Sequence, residues 1–458
     1  MNTLIAIGVL AVLVLIAEII NLRKMVIPMT VIGLLGILGY TVCNISVVEA
    51  YYNNMFVSTR FSNAFSSLFI ALTIFIVALS NDFYKNEFTK IADYVSLKLF
   101  LLMGAICMVS FGNMAMFFLG LEILSITLYI LCGADRKNIK SNESAMKYFL
   151  LGSFASGIVL FGIALIYGAT GSFDIAQISN IAVSTSLPVW YALGATMIII
   201  GMLFKVAAVP FHFWAPDVYQ GAPTLTTTIM STLVKVTAIA TLYKISVNLL
   251  HQMPESYMNA LIFITIITLT VGNIMAIRQD NMKRLLAYSG ISHAGFMMMA
   301  LTALGSASPN LFYYATAYSF AGMAAFTVLM AVCKNNEDEL ISSFDGLGKR
   351  NPLMAIVLSI ALLSMGGIPV FAGFFGKFFL FSQAIQNGYI TLVIFGVINS
   401  FISIYYYLKV IIRMFANYEE TNREKLAVPA LYSIIGTIAA AIIIVVGLFP
   451  SLLLNLFN

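Results

Sequence analysis

Residues Leu203–Pro223 read LFKVAAVPFHFWAPDVYQGAP. Lys205 stands in an apolar run that carries no other charge from Trp190 onward. Beyond it, Pro210 removes a backbone donor and interrupts any helix passing through. Two aromatics, His212 and a polar exit containing Asp217 follow. At ~1.5 Å per residue, Lys205 lies roughly 20 Å past the start of its run, near the middle of a bilayer. Its stem is too short to bring the ammonium to water. A charge at that depth is costly and marks an ion path by default.

The rest of the chain makes that depth meaningful. Of 458 residues, 61% are hydrophobic and 9% charged, and the mean hydropathy is +0.97. Soluble domains carry about 25% charged residues. The apolar runs are long and do not alternate, which excludes a β-barrel and leaves an all-α polytopic membrane protein. About fourteen spans of bilayer length are predicted. Their limits are near 3–21, 27–48, 62–81, 94–111, 113–132, 143–169, 190–217, 224–249, 257–278, 283–304, 311–333, 352–387, 389–415 and 428–450. The connections are short, and the chain reads as a single membrane domain over 1–458.

Basic residues gather in the loops after odd-numbered spans, among them Arg23, Lys24, Arg136, Lys137, Lys140, Lys283, Arg284, Lys334, Lys349, Arg350, Arg413 and Arg423. The even loops carry Arg60 alone. The positive-inside rule then predicts both termini outside the cytoplasm and accounts for the net charge of +5 without nucleic acid. Met1–Ile20 lacks a basic n-region and is followed by Arg23 and Lys24, so it reads as a retained first span. Cys43, Cys107, Cys132 and Cys333 are scattered, with no Cys-x-x-Cys. Neither zinc nor an iron–sulfur centre is supported, and the expectation is no cofactor and no metal in this chain. Gly33, Gly36 and Gly39 read as a small-residue packing face.

A second interrupted run, MGGIPVFAGFFGKF around Pro369, matches the first in kind, with aromatics after the proline and Lys377 close by. It falls in span twelve, five spans after span seven, and so runs the opposite way through the bilayer. That pattern predicts two inverted five-helix repeats, 94–249 (spans four to eight) and 257–415 (spans nine to thirteen), with broken helices seven and twelve on the path.

Other ionisable groups are deep as well. Glu122 sits mid-way along span five, in LGLEILSITLYIL, and Lys235 mid-way along span eight, in TLVKVTAIA. Each has a plainer reading. Glu122 could be neutral and bonded to a neighbouring backbone. Lys377 could satisfy carbonyls freed by its break. Lys147 could make an i,i+4 pair with Glu143. His293, in SGISHAGF, could be a satisfied core histidine or a proton relay. His212 is placed to gate the break or to fill it. Lys98, Lys244 and Lys409 lie near span ends and are expected to snorkel, while Glu18 should face Arg23 or water. A low dielectric favours the neutral amine, and a nearby carboxylate favours the ammonium. A mid-depth row of Glu122, Lys205, Lys235 and Lys377 is therefore a switchable proton path.

FKVAAVPFHFWAPDVYQGAP, GLEILSITLYIL and NMKRLLAYSGISHAGFM together resemble the antiporter-like subunits of proton-pumping NADH:quinone oxidoreductase, respiratory complex I. The resemblance extends over nearly the whole chain. It implies a fourteen-helix fold with two inverted repeats, and a half-channel from each side joined by a central hydrophilic axis. It also implies an inner-membrane location in a bacterium. The expected partners are an M-type antiporter-like subunit and small K- and J-type subunits. The redox chemistry lies elsewhere in the complex. By motif, Glu122 is similar to the family's fifth-helix glutamate, Lys205 to the lysine of the broken seventh helix, and Lys235 to the bridging lysine of helix eight. Lys147 is similar to the helix-six lysine that tunes the seventh. Lys377, where other members carry glutamate, fits the smallest of the three such subunits. Gly290 departs from the family pattern A-Y-S-S, which has a second serine there. Related sodium/proton antiporters and membrane-bound hydrogenases, or a membrane scaffold that transports nothing, are the alternatives.

Overall fold

A computed structural model describes residues 1–85, 90–184, 188–250, 254–333, 339–416 and 425–457. The expectations that rest on Lys334, Arg423 and Asn458 lie outside the described residues. The helices in chain order are α1 (Asn2–Ile19), α2 (Arg23–Cys43), α3 (Arg60–Phe83), α4 (Ile91–Ser110), α5 (Met114–Cys132) and α6 (Ile139–Thr170). Next come α7 (Ile175–Ser184), α8 (Val189–Val206), α9 (Trp214–Gly221), α10 (Thr224–Ile229) and α11 (Lys235–Leu249). Then follow α12 (Glu255–Ile277), α13 (Met282–Met298), α14 (Ser308–Val332), α15 (Leu347–Arg350) and α16 (Pro352–Gly366). The last are α17 (Ala372–Gln386), α18 (Ile390–Ala416), α19 (Ala430–Leu448) and α20 (Ser451–Leu454). A π-helical turn, Met230–Val234, joins α10 to α11. Among the described residues 13 helices are long and apolar enough to cross a membrane, counting Thr224–Leu249 as one. The stretch read as span twelve is two shorter helices, α16 and α17, on either side of the break expected at Pro369.

Asparagines start several spans. Asn113, Asn138, Asn281 and Asn351 each accept a backbone N–H of the first turn of α5, α6, α13 and α16. Such caps satisfy donors that a helix end would otherwise leave open. Thr59 and Ser62 do the same for α3 in a reciprocal capping box. The most apolar 18-residue windows of Thr224–Leu249, Met282–Ala303 and Ser308–Val332 are buried throughout and form the centre. The outer helices α1, α2, α6 and α18 keep apolar faces open, at Ile32, Phe154 and Phe401 for example. In lipid such faces need no further explanation.

Both breaks have the same construction. α8 ends where Ala207 turns left-handed (φ 61°), its N–H meeting the carbonyls of Leu203 and Phe204. α16 ends where Gly367 turns left-handed (φ 83°), its N–H meeting those of Leu363 and Ser364. Side chains take up groups that the breaks release. Trp214 Nε1 donates to the Phe204 carbonyl (3.1 Å), and Ser364 Oγ accepts from the Gly373 N–H (3.1 Å).

Five features differ from the sequence reading. A two-stranded antiparallel hairpin, β1 (Glu49–Tyr51) and β2 (Phe56–Ser58), joins α2 to α3, and the short amphipathic α7 lies between spans six and seven. Of the three glycines in α2, only Gly33 packs, since a Cβ there would meet Leu10 at 2.8 Å, whereas Gly36 and Gly39 face open space. Lys98 does not snorkel. It is 2% exposed, donates to Ser80 Oγ (2.7 Å) and lies 4.7 Å from the ring centre of Tyr84. The stacked pair Tyr84–Tyr94, with ring centres 4.3 Å apart, accompanies it at that end of α3 and α4. Lys244 likewise turns inward, donating to the Val109 carbonyl (2.8 Å). Glu18 meets Arg23 as expected, at 2.6 Å.

Candidate functional site: a row of buried lysines

Lys205 is the last residue but one of α8 and is 5% exposed. The left-handed turn at Ala207 aims its stem inward. Its ammonium donates to Ser125 Oγ (2.7 Å) and lies between the rings of Tyr129 and Tyr148, 5.6 and 5.3 Å from their centres. Ser125 passes its own proton to the Leu121 carbonyl (2.5 Å), so its lone pairs face the lysine. Glu122, one turn before Ser125, is half-buried, and its Oε1 has no partner among the described residues. Lys205 and Glu122 make no direct ion pair.

Lys235 opens α11 directly after the π turn and is 2% exposed. Its Nζ has no hydrogen-bond partner among the described residues and lies 5.8 Å from the ring centre of Tyr219. A Cβ on Gly290 would stand 3.1 Å from that Nζ and 3.0 Å from the Tyr318 hydroxyl. The departure from the family pattern thus leaves room beside the ammonium, at a place where two polar tips converge.

His293, in α13, is buried, with both ring nitrogens occupied. Nδ1 meets Tyr314 Oη (2.7 Å) and Nε2 meets Tyr407 Oη (3.1 Å). Tyr407 also shares a short hydrogen bond with Ser289. In the neutral ring one nitrogen donates and the other accepts. The ring can therefore take a proton from one tyrosine and give one to the other. A cavity of about 10 Å³ beside it, lined by Tyr314, Tyr318 and Ser364, has room for about one water.

Lys377, in α17, is 3% exposed. It donates to the Gly366 carbonyl (3.1 Å) and to Ser400 Oγ (2.9 Å), and lies 4.5 Å from the ring centre of Phe296. It turns away from lipid, toward α13 and α18. The Gly366 bond is the carbonyl-satisfying role foreseen as its plainer reading.

Lys147 stands apart. Its side chain is 43% exposed and pairs with Glu143 (2.7 Å, i,i+4) and Asp217 (3.2 Å). Arg284 shares Asp217 at 2.7 Å. The structure sets its neighbour Tyr148, not Lys147, against Lys205. His212 is buried in the first break, its ring 4.3 Å from that of Phe213.

Sequence reasoning missed Ser125, Tyr148, Tyr219, Tyr314 and Tyr407. One signal was available for Ser125, which lies three residues after Glu122 and so on the same helix face. Among the described residues no cluster of His, Cys, Asp and Glu could hold a metal. Among the described residues Lys205, Lys235 and Lys377 make no ion pairs. A charge taken out of water without an opposite partner costs several kcal/mol, on the order of the penalty known for buried ions.

Residues 111–403 match the family described as NADH:quinone oxidoreductase/Mrp antiporter, TM. The chain is 55% identical to NADH-quinone oxidoreductase subunit N of Flavobacterium johnsoniae, with 100% of both sequences covered. Among solved structures it is similar to a chain of respiratory complex I from Thermus thermophilus, at 30% identity and TM-score 0.87, covering 99% of this chain and 98% of that one. It is also similar to a chain of an archaeal membrane-bound sulfane sulfur reductase, at 27% identity and TM-score 0.87, covering 99% and 95%. The interrupted helices, the buried lysines and these likenesses agree: this chain belongs to the antiporter-like subunits of NADH:quinone oxidoreductase, in the branch of subunit N.

Proposed function

We propose that this chain moves protons across the membrane as a membrane-arm subunit of a NADH:quinone oxidoreductase. The proton path runs through Glu122, Lys205, Lys235, His293 and Lys377. The observation that carries this reading is that Lys205, Lys235 and Lys377 are each at most 5% exposed and unpaired by any carboxylate. An amine held so can exchange its proton with little change in surroundings. Ser125, Tyr314, Tyr407 and single waters are suited to pass it between them. Lys147, paired with Glu143 and Asp217, acts on Lys205 only at a distance, through the charge it sets on α6 and α9.

The redox groups and the quinone site belong to other subunits, which fits the scattered cysteines of this one. Its neighbours are an M-type antiporter-like subunit and the small K- and J-type subunits, in the inner membrane of a bacterium. The face that carries Arg136, Lys137, Lys140, Lys349 and Arg350 is cytoplasmic, by the charge rule. Residues 94–249 and 257–415 form two inverted repeats, a reading supported by the matched turns at Ala207 and Gly367.

The test is the assembled complex in sealed vesicles. Lys205→Ala and Lys235→Ala are expected to preserve assembly and to lower proton uptake and coupled quinone reduction by tenfold or more. If both variants assemble and pump at the parental rate, the chain is a scaffold.

A further inference from the structure

The polar cleft on the basic face has no role in the path described above. It measures about 790 Å³ and is lined by Asp135, Lys137, Asn138, Lys140, Asn281 and Thr224, among others. Its inner wall holds an ion pair, Lys283 Nζ to Glu339 Oε1 at 2.6 Å, with side chains only 4% and 14% exposed. The pair is tied down on both sides. Lys283 also donates to the Ala222 carbonyl (3.0 Å), and Thr224 Oγ1 donates to Glu339 Oε1 (3.2 Å). The Met282 N–H holds the Glu339 carbonyl (2.7 Å), and the Ile341 N–H holds that of Asp280 (2.8 Å). The chain after α14 is thereby stitched over the first turn of α10.

Directly behind the pair begins the element that ends in Lys235. Thr224 is the first residue of α10, and Thr228, Ser231 and Thr232 follow it at about one-turn spacing before Lys235. All four beyond Thr224 are at most 3% exposed. Thr228 donates back to the Thr224 carbonyl (2.9 Å) and Thr232 to that of Thr228 (2.7 Å), which leaves their hydroxyl lone pairs to accept. Ser231 meets the Tyr318 hydroxyl (3.3 Å), and that hydroxyl converges with Lys235 Nζ on Gly290. The distance from Thr224 to Lys235 along the helix is roughly 16 Å. A hydroxyl stripe thus leads from a buried, water-facing carboxylate to an ammonium with no protein partner.

We propose that the Lys283–Glu339 pair is the gate by which protons pass from this cleft to Lys235. The Glu339 carboxylate takes a proton from hydronium in the cleft, an O–H bond forming on the carboxylate as one breaks on hydronium, which leaves as water, and the acid releases its hold on Lys283. The acid then gives that proton, through water held along Thr228 and Ser231, to the neutral amine of Lys235. There an N–H bond forms as the O–H bond breaks, and the carboxylate closes again on Lys283. Among the described residues, other ionisable groups about the pair are Lys140 from α6 and Cys333 just after α14, with Asp135, Lys137, Tyr84 and Tyr94 lining the cleft. This inference rests on the proton-path reading of Lys235.

Glu339→Gln keeps the shape and cannot carry the proton. In vesicles holding the assembled complex, it is expected to lower proton uptake and coupled quinone reduction at least fivefold, with Glu339→Asp recovering most of the loss. Thr224→Val, which leaves the pair in place, is expected to slow both two- to threefold, with Thr224→Ser restoring them. A second readout does not depend on turnover. With Cys43, Cys107, Cys132 and Cys333 replaced by serine, Ser231→Cys is expected to resist a small membrane-impermeant thiol reagent added on the cleft side. Adding Glu339→Gln is expected to speed its labelling tenfold or more. Parental pumping by Glu339→Gln, or equal labelling with and without it, overturns the gate. Lys235→Ala separates the two readings. If it stops pumping while Glu339→Gln does not, the gate alone is wrong. If it is silent, the path itself is wrong.

Discussion

Ala207 and Gly367 make the same turn in two different helices. Each is left-handed, each donates its N–H to the carbonyls three and four residues back, and each is followed by a residue bonded to the earlier of those carbonyls. One of the two is an alanine, in a conformation that costs an L-residue about 1–2 kcal/mol. Ala207→Gly is therefore expected to leave pumping intact and to raise stability by up to about 1 kcal/mol. Gly367→Ala is expected to do the reverse. Its Cβ would add the strain and would stand 3.1 Å from Lys377 Cδ and 3.2 Å from Nζ. Thermal unfolding and turnover of the two variants, side by side, check this. Equal behaviour would show that the turns are not equivalent.

Ser125 is the hydrogen-bond partner of Lys205, at 2.7 Å. Ser125→Ala leaves a buried ammonium with aromatic faces alone, a loss of about 1.5–3 kcal/mol for a bond to a charged group. The neutral amine gains by comparison. Proton uptake is expected to fall several-fold and to show an altered dependence on pH, while Ser125→Thr restores the parental profile. An alanine variant with parental rate and profile would remove Ser125 from the path.

Lys377→Arg keeps the charge, but a guanidinium does not give up its proton in a protein. Pumping is expected to be blocked nearly as well as by Lys377→Ala, with the complex assembled in both cases. A fully active arginine variant would leave Lys377 with its structural task, the bond to the Gly366 carbonyl.

Tyr407 joins His293 to Ser289. Tyr407→Phe removes that link and leaves the Tyr314 bond to the other ring nitrogen in place. Coupled turnover is expected to drop about tenfold with little change in thermal stability. Tyr314→Phe serves as the comparison, and a Tyr407→Phe complex that pumps normally would make the histidine a packing residue.

The spans, the two breaks and the deep lysines were legible in the sequence because each is written in one short stretch. Long apolar runs, a proline within a run and a charge far from either end need no knowledge of neighbours. What was not legible depends on which helices meet. Ser125 and Tyr148 carry no charge and become part of the site only because α6 packs against both α5 and α8. Lys98 was misjudged because distance from a span end says nothing of what covers that end, and here Ser80 and Tyr84 hold it inside. Gly36 and Gly39 share the spacing of Gly33, but no helix lies against them. The surroundings of Glu122 and Lys205 were out of reach for a related reason. Sequence gives the depth of two charges but not the residue that stands between them.

Trp214 has a consequence for movement. Its indole donates to the Phe204 carbonyl, and its ring lies flat on Tyr148, with centres 4.7 Å apart and planes within 10°. Tyr148 in turn contacts Lys205. The break therefore cannot straighten into a continuous helix without pulling the indole off both. It is a latched joint, not a spring. Straightening it costs the indole both contacts, which favours a shift of whole segments or a change of charge as the route of any stroke that reaches this subunit.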